Sequence, residues 1–280
     1  MTTNAYCFKY NIILLVFLII FAPVQILLAI GIEKPQEIVV DGLVSLKNGG
    51  GAAWLRWNGH EILATEGYMI GTDLRVIRIT CDAVVMYAPT RRKYFSFSPE
   101  VKLPTESKDN IILTSALPIW KLVSLTASAF QKDYLCSAQS ISYNTLHHHS
   151  KSLGGMMSAI VSPNHRFHTY KGLILSSPVH IDGRGWEQFS KQIHNYNSLR
   201  LGKKYKAFNN KGSVVSNGRP LDQTIQDIAL KTGVNIVWNK PSMIPLYCSL
   251  RDREWHEILS MIVFFNNFKL IEHADFLEIK

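Results

Sequence analysis

The sequence of 280 residues predicts a multidomain chain: an N-terminal membrane segment, a small all-β domain, an irregular linker and a C-terminal α+β module with elements in the order βαββαββ. Three observations lead there. Residues 12–31 are almost continuously apolar, residues 37–88 are cut into short strand-like runs by turn signals, and residues 220–263 carry two stretches with the 3.6-residue period of amphipathic helices. The segments expected are 1–31, 37–88, 89–212 and 213–280.

The apolar run has about the ~20 residues that span a bilayer. Lys9 precedes it, and Ala29 and Gly31 place small residues two apart just before Ile32, the spacing of a signal-peptidase site. Pro23 and Gln25 interrupt it. Either a cleaved secretory signal or an uncleaved anchor fits, and both export the remainder of the chain. The three cysteines beyond Cys7 (Cys81, Cys136, Cys248) lie in different segments with no C-x-x-C spacing, so neither a zinc knuckle nor a thioredoxin-type pair is indicated. Cys248 alternates with Leu246 and Leu250 and reads as a buried reduced thiol.

Within 37–88, a run from Glu37 to Leu46 precedes Asn48-Gly49-Gly50-Gly51, and residues 52–57 lead into Asn58-Gly59, a hairpin signal because both turn residues must take φ > 0. Glu66-Gly67 and Ile70-Gly71 mark further turns before residues 74–80 and 83–88. Strands this short suggest a small sandwich or barrel, with Trp54 and Trp57 in its core.

The charge excess, 30 Lys and Arg against 21 Asp and Glu, falls almost wholly in 106–219, with fourteen basic residues and five acidic ones. Thr90-Arg91-Arg92-Lys93 ends the β-region, and the basic stretch beyond it reads as a His-containing linker with candidate helices at 116–131 and 186–199. The apolar segment 111–130 carries Lys121 near its centre, which argues against a second membrane span.

Pro220 opens a helix with Leu221, Ile225, Ile228 and Ala229 on one face, and Gly233 caps it. Residues 234–238 and 245–250 read as strands. Trp255, Ile258, Leu259, Ile262 and Val263 mark a second helix, and residues 268–271 and 276–279 close as a hairpin around His273-Ala274-Asp275. With a strand near Ser213–Val215, the order βαββαββ results.

These residues resemble a known family. Pro220-Leu221, Ile225, Ala229 and the run Thr232 to Val237, continued by Leu246, Leu250, Trp255, Ile258-Leu259, Phe268 and Ile279, are similar to the short N-terminal domain of secretins and TonB-dependent signalling receptors. Asn58-Gly59, Glu66-Gly67-Tyr68, Val76 to Ile79 and Asp82 to Val85 more weakly resemble the periplasmic homology region of type II secretion and pilus-assembly inner-membrane proteins. The resemblances imply a secretin-N-domain-like module and a β-domain that docks onto such modules.

No nucleophile elbow, zincin, P-loop or dinucleotide fingerprint is present in a strand-to-helix context. His147-His148-His149, with His165, His168 and His180 downstream, lacks a carboxylate or thiol at ligand spacing and reads as a solvated loop, so no metal or cofactor is assigned. The functional expectation is a non-enzymatic periplasmic or inner-membrane component of a type II secretion or type IV pilus-like machine. Its partners would be a secretin or other assembly proteins, and the membrane if the leader is uncleaved; nucleic acid is not expected. The alternative is an exported metal-dependent enzyme built on the His-rich middle. The candidate partner-binding residues are Asn235, Arg251 and Arg253 in the terminal module and Arg75 and Arg78 in the β-domain.

Overall fold

A computed structural model describes residues 37–99, 109–137, 143–160, 165–178, 201–238 and 243–280, together with Phe189, Lys191 and Ile193. The leader lies outside these residues, as does most of the helix expected at 186–199. From Val39 onward the described elements belong to one compact unit, 39–280.

Strands β1 (Ile38–Ser45), β2 (Gly51–Trp57) and β3 (His60–Thr65) form where the turn signals predict them. Asn58 and Gly59 take φ of 50° and 78°, and Trp57 pairs with His60 across that two-residue turn. Next in the chain is a four-stranded antiparallel meander: β4 (Met69–Ile70), β5 (Leu74–Ile79), β6 (Val84–Ala88) and β7 (Lys93–Phe97). The Arg91-Arg92 pair is the β6–β7 turn, so the basic run joins two strands instead of ending the β-region.

The linker expectation is corrected by residues 110–178. Strand β8 (Asn110–Pro118) pairs with β1, helix α1 (Ile119–Ala129) packs on β2, β9 (Asp133–Cys136) succeeds it, and β10 (Tyr143–Ser150) pairs with β8. The first sheet therefore runs β10-β8-β1-β2-β3, with a strand of the supposed linker near its centre. Helix α2 (Leu153–Ile160) and the hairpin of β11 (His165–Tyr170) and β12 (Leu173–Pro178) complete this region.

The C-terminal region has the expected element order. It comprises β13 (Lys211–Pro220), α3 (Leu221–Thr232), β14 (Ile236–Trp238), β15 (Pro245–Glu254), α4 (Trp255–Phe265), β16 (Leu270–Glu272) and β17 (Leu277–Ile279). Gly233 takes the left-handed cap conformation at φ 66°. The Trp255 indole lies against Gly212, where a Cβ would sit 2.0 Å from the ring. Strands β14, β17 and β16 make a three-stranded sheet.

This region is not a separate module. Strand β9 runs parallel to β12 and antiparallel to β15, which gives one sheet of order β11-β12-β9-β15-β13. Successive strand residues point to opposite faces, and the two faces of this sheet serve two cores. Leu135, Leu173, Leu175, Leu246, Cys248 and Leu250 join α3 and α4, whereas Tyr134, Cys136, Ile174 and Tyr247 join α1, α2 and the first sheet. The expected series of small all-β domain, irregular linker and autonomous α+β module is thus overturned: the described chain is mostly β, and its middle third supplies strands to both of its larger sheets, while the membrane segment expected at 1–31 lies outside the described residues. No helix among the described residues is long and apolar enough to cross a membrane. Segment 111–130 is β8 and α1, both in the core, and Lys121 there makes an ion pair with Glu61 and lies 5.2 Å from the Trp54 ring centroid.

Because Leu135 is fully buried between β12 and β15, Leu135→Ala should cost about 2–5 kcal/mol. Urea unfolding followed by tryptophan fluorescence and by far-UV circular dichroism should shift as one transition. A C-terminal transition that separates from the rest and is unmoved by the substitution would contradict the shared sheet.

Candidate interaction surfaces

The five residues singled out by sequence divide into three environments. Arg253 is a clamp. Its Nε donates to Asp133 Oδ2 at 2.9 Å, Nη1 to Glu257 Oε1 at 3.1 Å and Nη2 to the Lys171 carbonyl at 3.4 Å, with its side chain 13% exposed. Arginine suits this position because its planar fork serves several acceptors at once. The acceptors come from the start of β9, the β11–β12 turn and α4, and the contact with Asp133 spans 120 residues of sequence.

Arg251 and Asn235 are solvent-exposed. The Arg251 backbone N–H donates to Asp133 Oδ2 at 3.3 Å, and its side chain borders a cleft of about 730 Å³ between the Gly49–Gly51 turn and the segment Phe130–Asp133 that leaves α1. Asn235 contributes its carbonyl to the Leu277 N–H at 2.9 Å.

Arg75 and Arg78 lie on the outward face of the β4–β7 meander. The inward face is apolar: Val76, Ile79, Val84 and Met86 are buried, and β5 lies against β2 and β3. Outward, the register aligns Met69, Arg75, Tyr87 and Tyr94 in one row across all four strands, with Arg78, Val85 and Ser96 in the next. A bulge in β5 between Val76 and Arg78 leaves Ile77 outward as well, 41% exposed. Met69 is 45% and Tyr94 70% exposed, and the rings of Tyr87 and Tyr94 are 4.8 Å apart. No carboxylate stands in either row. Asp73, in the β4–β5 turn, is held below the usual carboxylate range by the Thr90 hydroxyl and N–H, with Arg91 adding to it.

Sequence reading finds the two arginines of this surface and misses Tyr87 and Tyr94. The signal is present in residues 93–97, where Lys93-Tyr94-Phe95-Ser96-Phe97 alternates sides, but the basic turn before it reads as a boundary. Asp133 leaves no local signal, since its partners are far away in sequence.

Elsewhere, burial pushes the Cys248 thiol up to about 12 and raises the Tyr134 phenol, and it lowers His168 with help from Arg166. Among the described residues no group of three or more His, Cys, Asp or Glu is placed to hold a metal.

No family model matches the chain, and no curated protein matches it. Two crystal structures of a "putative anti-sigma factor" from Parabacteroides distasonis ATCC 8503 are similar at 12% identity. They cover 87% and 88% of this chain and 93% and 95% of their own, each at a TM-score of 0.23, which is too low to carry a fold or a function.

These environments predict two outcomes. Asp133→Asn removes one of the two carboxylates that meet the Arg253 guanidinium at the seam and should cost about 2 kcal/mol in urea unfolding, whereas Arg251→Glu, on an exposed side chain, should stay within ~1 kcal/mol. Equal effects would show that the Arg253 clamp does not bear on stability. Native alkylation at mildly alkaline pH should label the half-exposed Cys81 and spare Cys248, read by peptide mass spectrometry. The sign of the linkage agrees: a thiol raised by folding stabilises fully below its unfolded value of ~8.5, and that contribution fades as pH climbs toward its folded value.

Proposed function

We propose that this protein is a non-enzymatic docking component of an envelope-spanning secretion or pilus-like machine, working in the periplasm through protein–protein contacts. The observation that carries the docking reading is the outward face of the β4–β7 meander. Met69, Ile77 and Tyr94 place three large exposed hydrophobics there, beside Arg75 and Arg78. Tyrosine and arginine dominate the energetics of protein interfaces, because a Tyr ring buries a large area at little entropic cost and Arg offers several donors. A cationic row without carboxylates favours an acidic partner surface. The secretion-machine reading is supported by the resemblance of residues 213–280 to the secretin short domain and by their βαββαββ order. It replaces the emphasis on Arg253, whose side chain is engaged within the fold.

The test is capture from envelope membranes by the full chain, scored for secretin and assembly proteins. Arg75→Glu with Arg78→Glu should weaken capture most at low salt, and Tyr94→Ser should cost about 1–2 kcal/mol of binding, while the thermal midpoint stays nearly unchanged. Undiminished capture by all these variants would remove this face from the interface. Failure to capture any secretion component would remove the machine assignment.

A further inference from the structure

The histidine triplet lies on a strand, not in a loop, and that changes what it can do. His147 and His149 are two residues apart on β10 and therefore project from the same side of it. His148 projects from the other, in the row of Val44 and Ile112. Strand β10 is the outer strand of its sheet among the described residues, with His147 opposite Leu113 and His149 opposite Ile111, both buried. That ladder fixes the backbone beneath the two rings.

The Nε2 atoms of His147 and His149 are 3.0 Å apart, and the rings meet at 61° with centroids 5.0 Å apart. Without a metal, one Nε2–H donates to the other Nε2. With both rings protonated on Nδ1, each Nε2 carries a lone pair, and the two atoms are close enough to bind one ion. A metal about 2.05 Å from each nitrogen would subtend an N–metal–N angle of about 94°, against a nitrogen separation of about 3.3 Å for a tetrahedral ion. The 3.0 Å spacing is that of the hydrogen-bonded pair and lies within about 0.3 Å of both the right-angled and the tetrahedral geometry, so the choice of ion rests on affinity order, which places Cu(II) first among divalent ions at imidazole ligands.

We propose that His147 and His149 form a bidentate surface site for a divalent transition-metal ion, Cu(II) before Ni(II) and Zn(II). Among the described residues no group of three or more His, Cys, Asp or Glu is placed to hold a metal, so the proposal rests on these two imidazoles. It stands apart from the docking reading, since neither histidine belongs to the β4–β7 face.

The experiment titrates the full chain with Cu(II), Ni(II) and Zn(II) salts separately, by calorimetry, and records pulsed electron paramagnetic resonance of the Cu(II) form. Two coupled imidazoles are expected. His147→Gln and His149→Gln should each weaken Cu(II) binding by about tenfold or more, since even loss of an outer-shell partner costs ~10–100-fold. His148→Gln should leave it unchanged, which controls for the number of histidines and for folding. The proposal is overturned if the double variant, shown folded by circular dichroism, binds Cu(II) as the wild type does. It is equally overturned if His148→Gln loses as much, if one imidazole or none couples, or if Zn(II) binds more tightly than Cu(II).

Discussion

Everything in the described chain depends on one sheet buried on both faces. Strands β12, β9 and β15 lie at its centre, and each sends alternate side chains into two different cores. Neither core closes without them: α3 and α4 would face water in place of Leu135, Leu175 and Leu250, and α1 would lose Tyr134, Cys136 and the Tyr247 ring stacked 4.5 Å from Trp120. Burying a large apolar side chain is worth roughly 1.5–3 kcal/mol, so Tyr134, Leu135 and Cys136 of β9 together weigh heavily against a domain stability of ~5–15 kcal/mol. Continuity between the two halves comes from this strand and not from a linker.

The same seam decides which charged residues are available to a partner. Asp133 begins β9, and its carboxylate gathers the Arg253 guanidinium and the Arg251 N–H from β15. Withdrawing an arginine from water is costly unless its donors are met. Here Asp133, Glu257 and the Lys171 carbonyl meet them, so Arg253 serves the seam between β9, β15 and the β11–β12 turn. Arg251, two residues earlier on the same strand, keeps an exposed side chain and meets the seam only through its backbone. Two residues that look equivalent in sequence are thus divided between structure and surface by where Asp133 lies.

That contrast explains what the sequence could reveal. Elements with a period were legible: the Asn58-Gly59 hairpin, the apolar faces of α3 and α4, the Gly233 cap and the closing hairpin stand where expected. Strands β9 and β12 were not, because a strand buried on both faces has no alternation and reads as a short apolar run. Strand β8 runs into α1 as one apolar stretch from Ile111 onward, and the pattern alone could not say where the period changed from two to 3.6. The basic charge spread over 106–219 then suggested solvent where there was a core. Of the candidate surface, Arg75 and Arg78 were legible through alternation, whereas their alignment with Tyr87 and Tyr94 depends on register and turn geometry, which pair residues across strands.

The β4–β7 meander is the part of the fold that this shared sheet does not need. Its inward side chains pack toward β2 and β3, and no strand of it enters either of the five-stranded sheets. Its outward face is therefore under the weakest packing constraint among the described strands, yet it carries large apolar side chains where lysine, serine or threonine would satisfy a solvent-facing β-surface equally well. Such residues raise the hazard of self-association, which the interspersed Arg75 and Arg78 moderate by repulsion between like-charged copies. A surface that tolerates that hazard, held on short turns so that little backbone freedom is lost on contact, has the properties of a docking face more than of a solvated one.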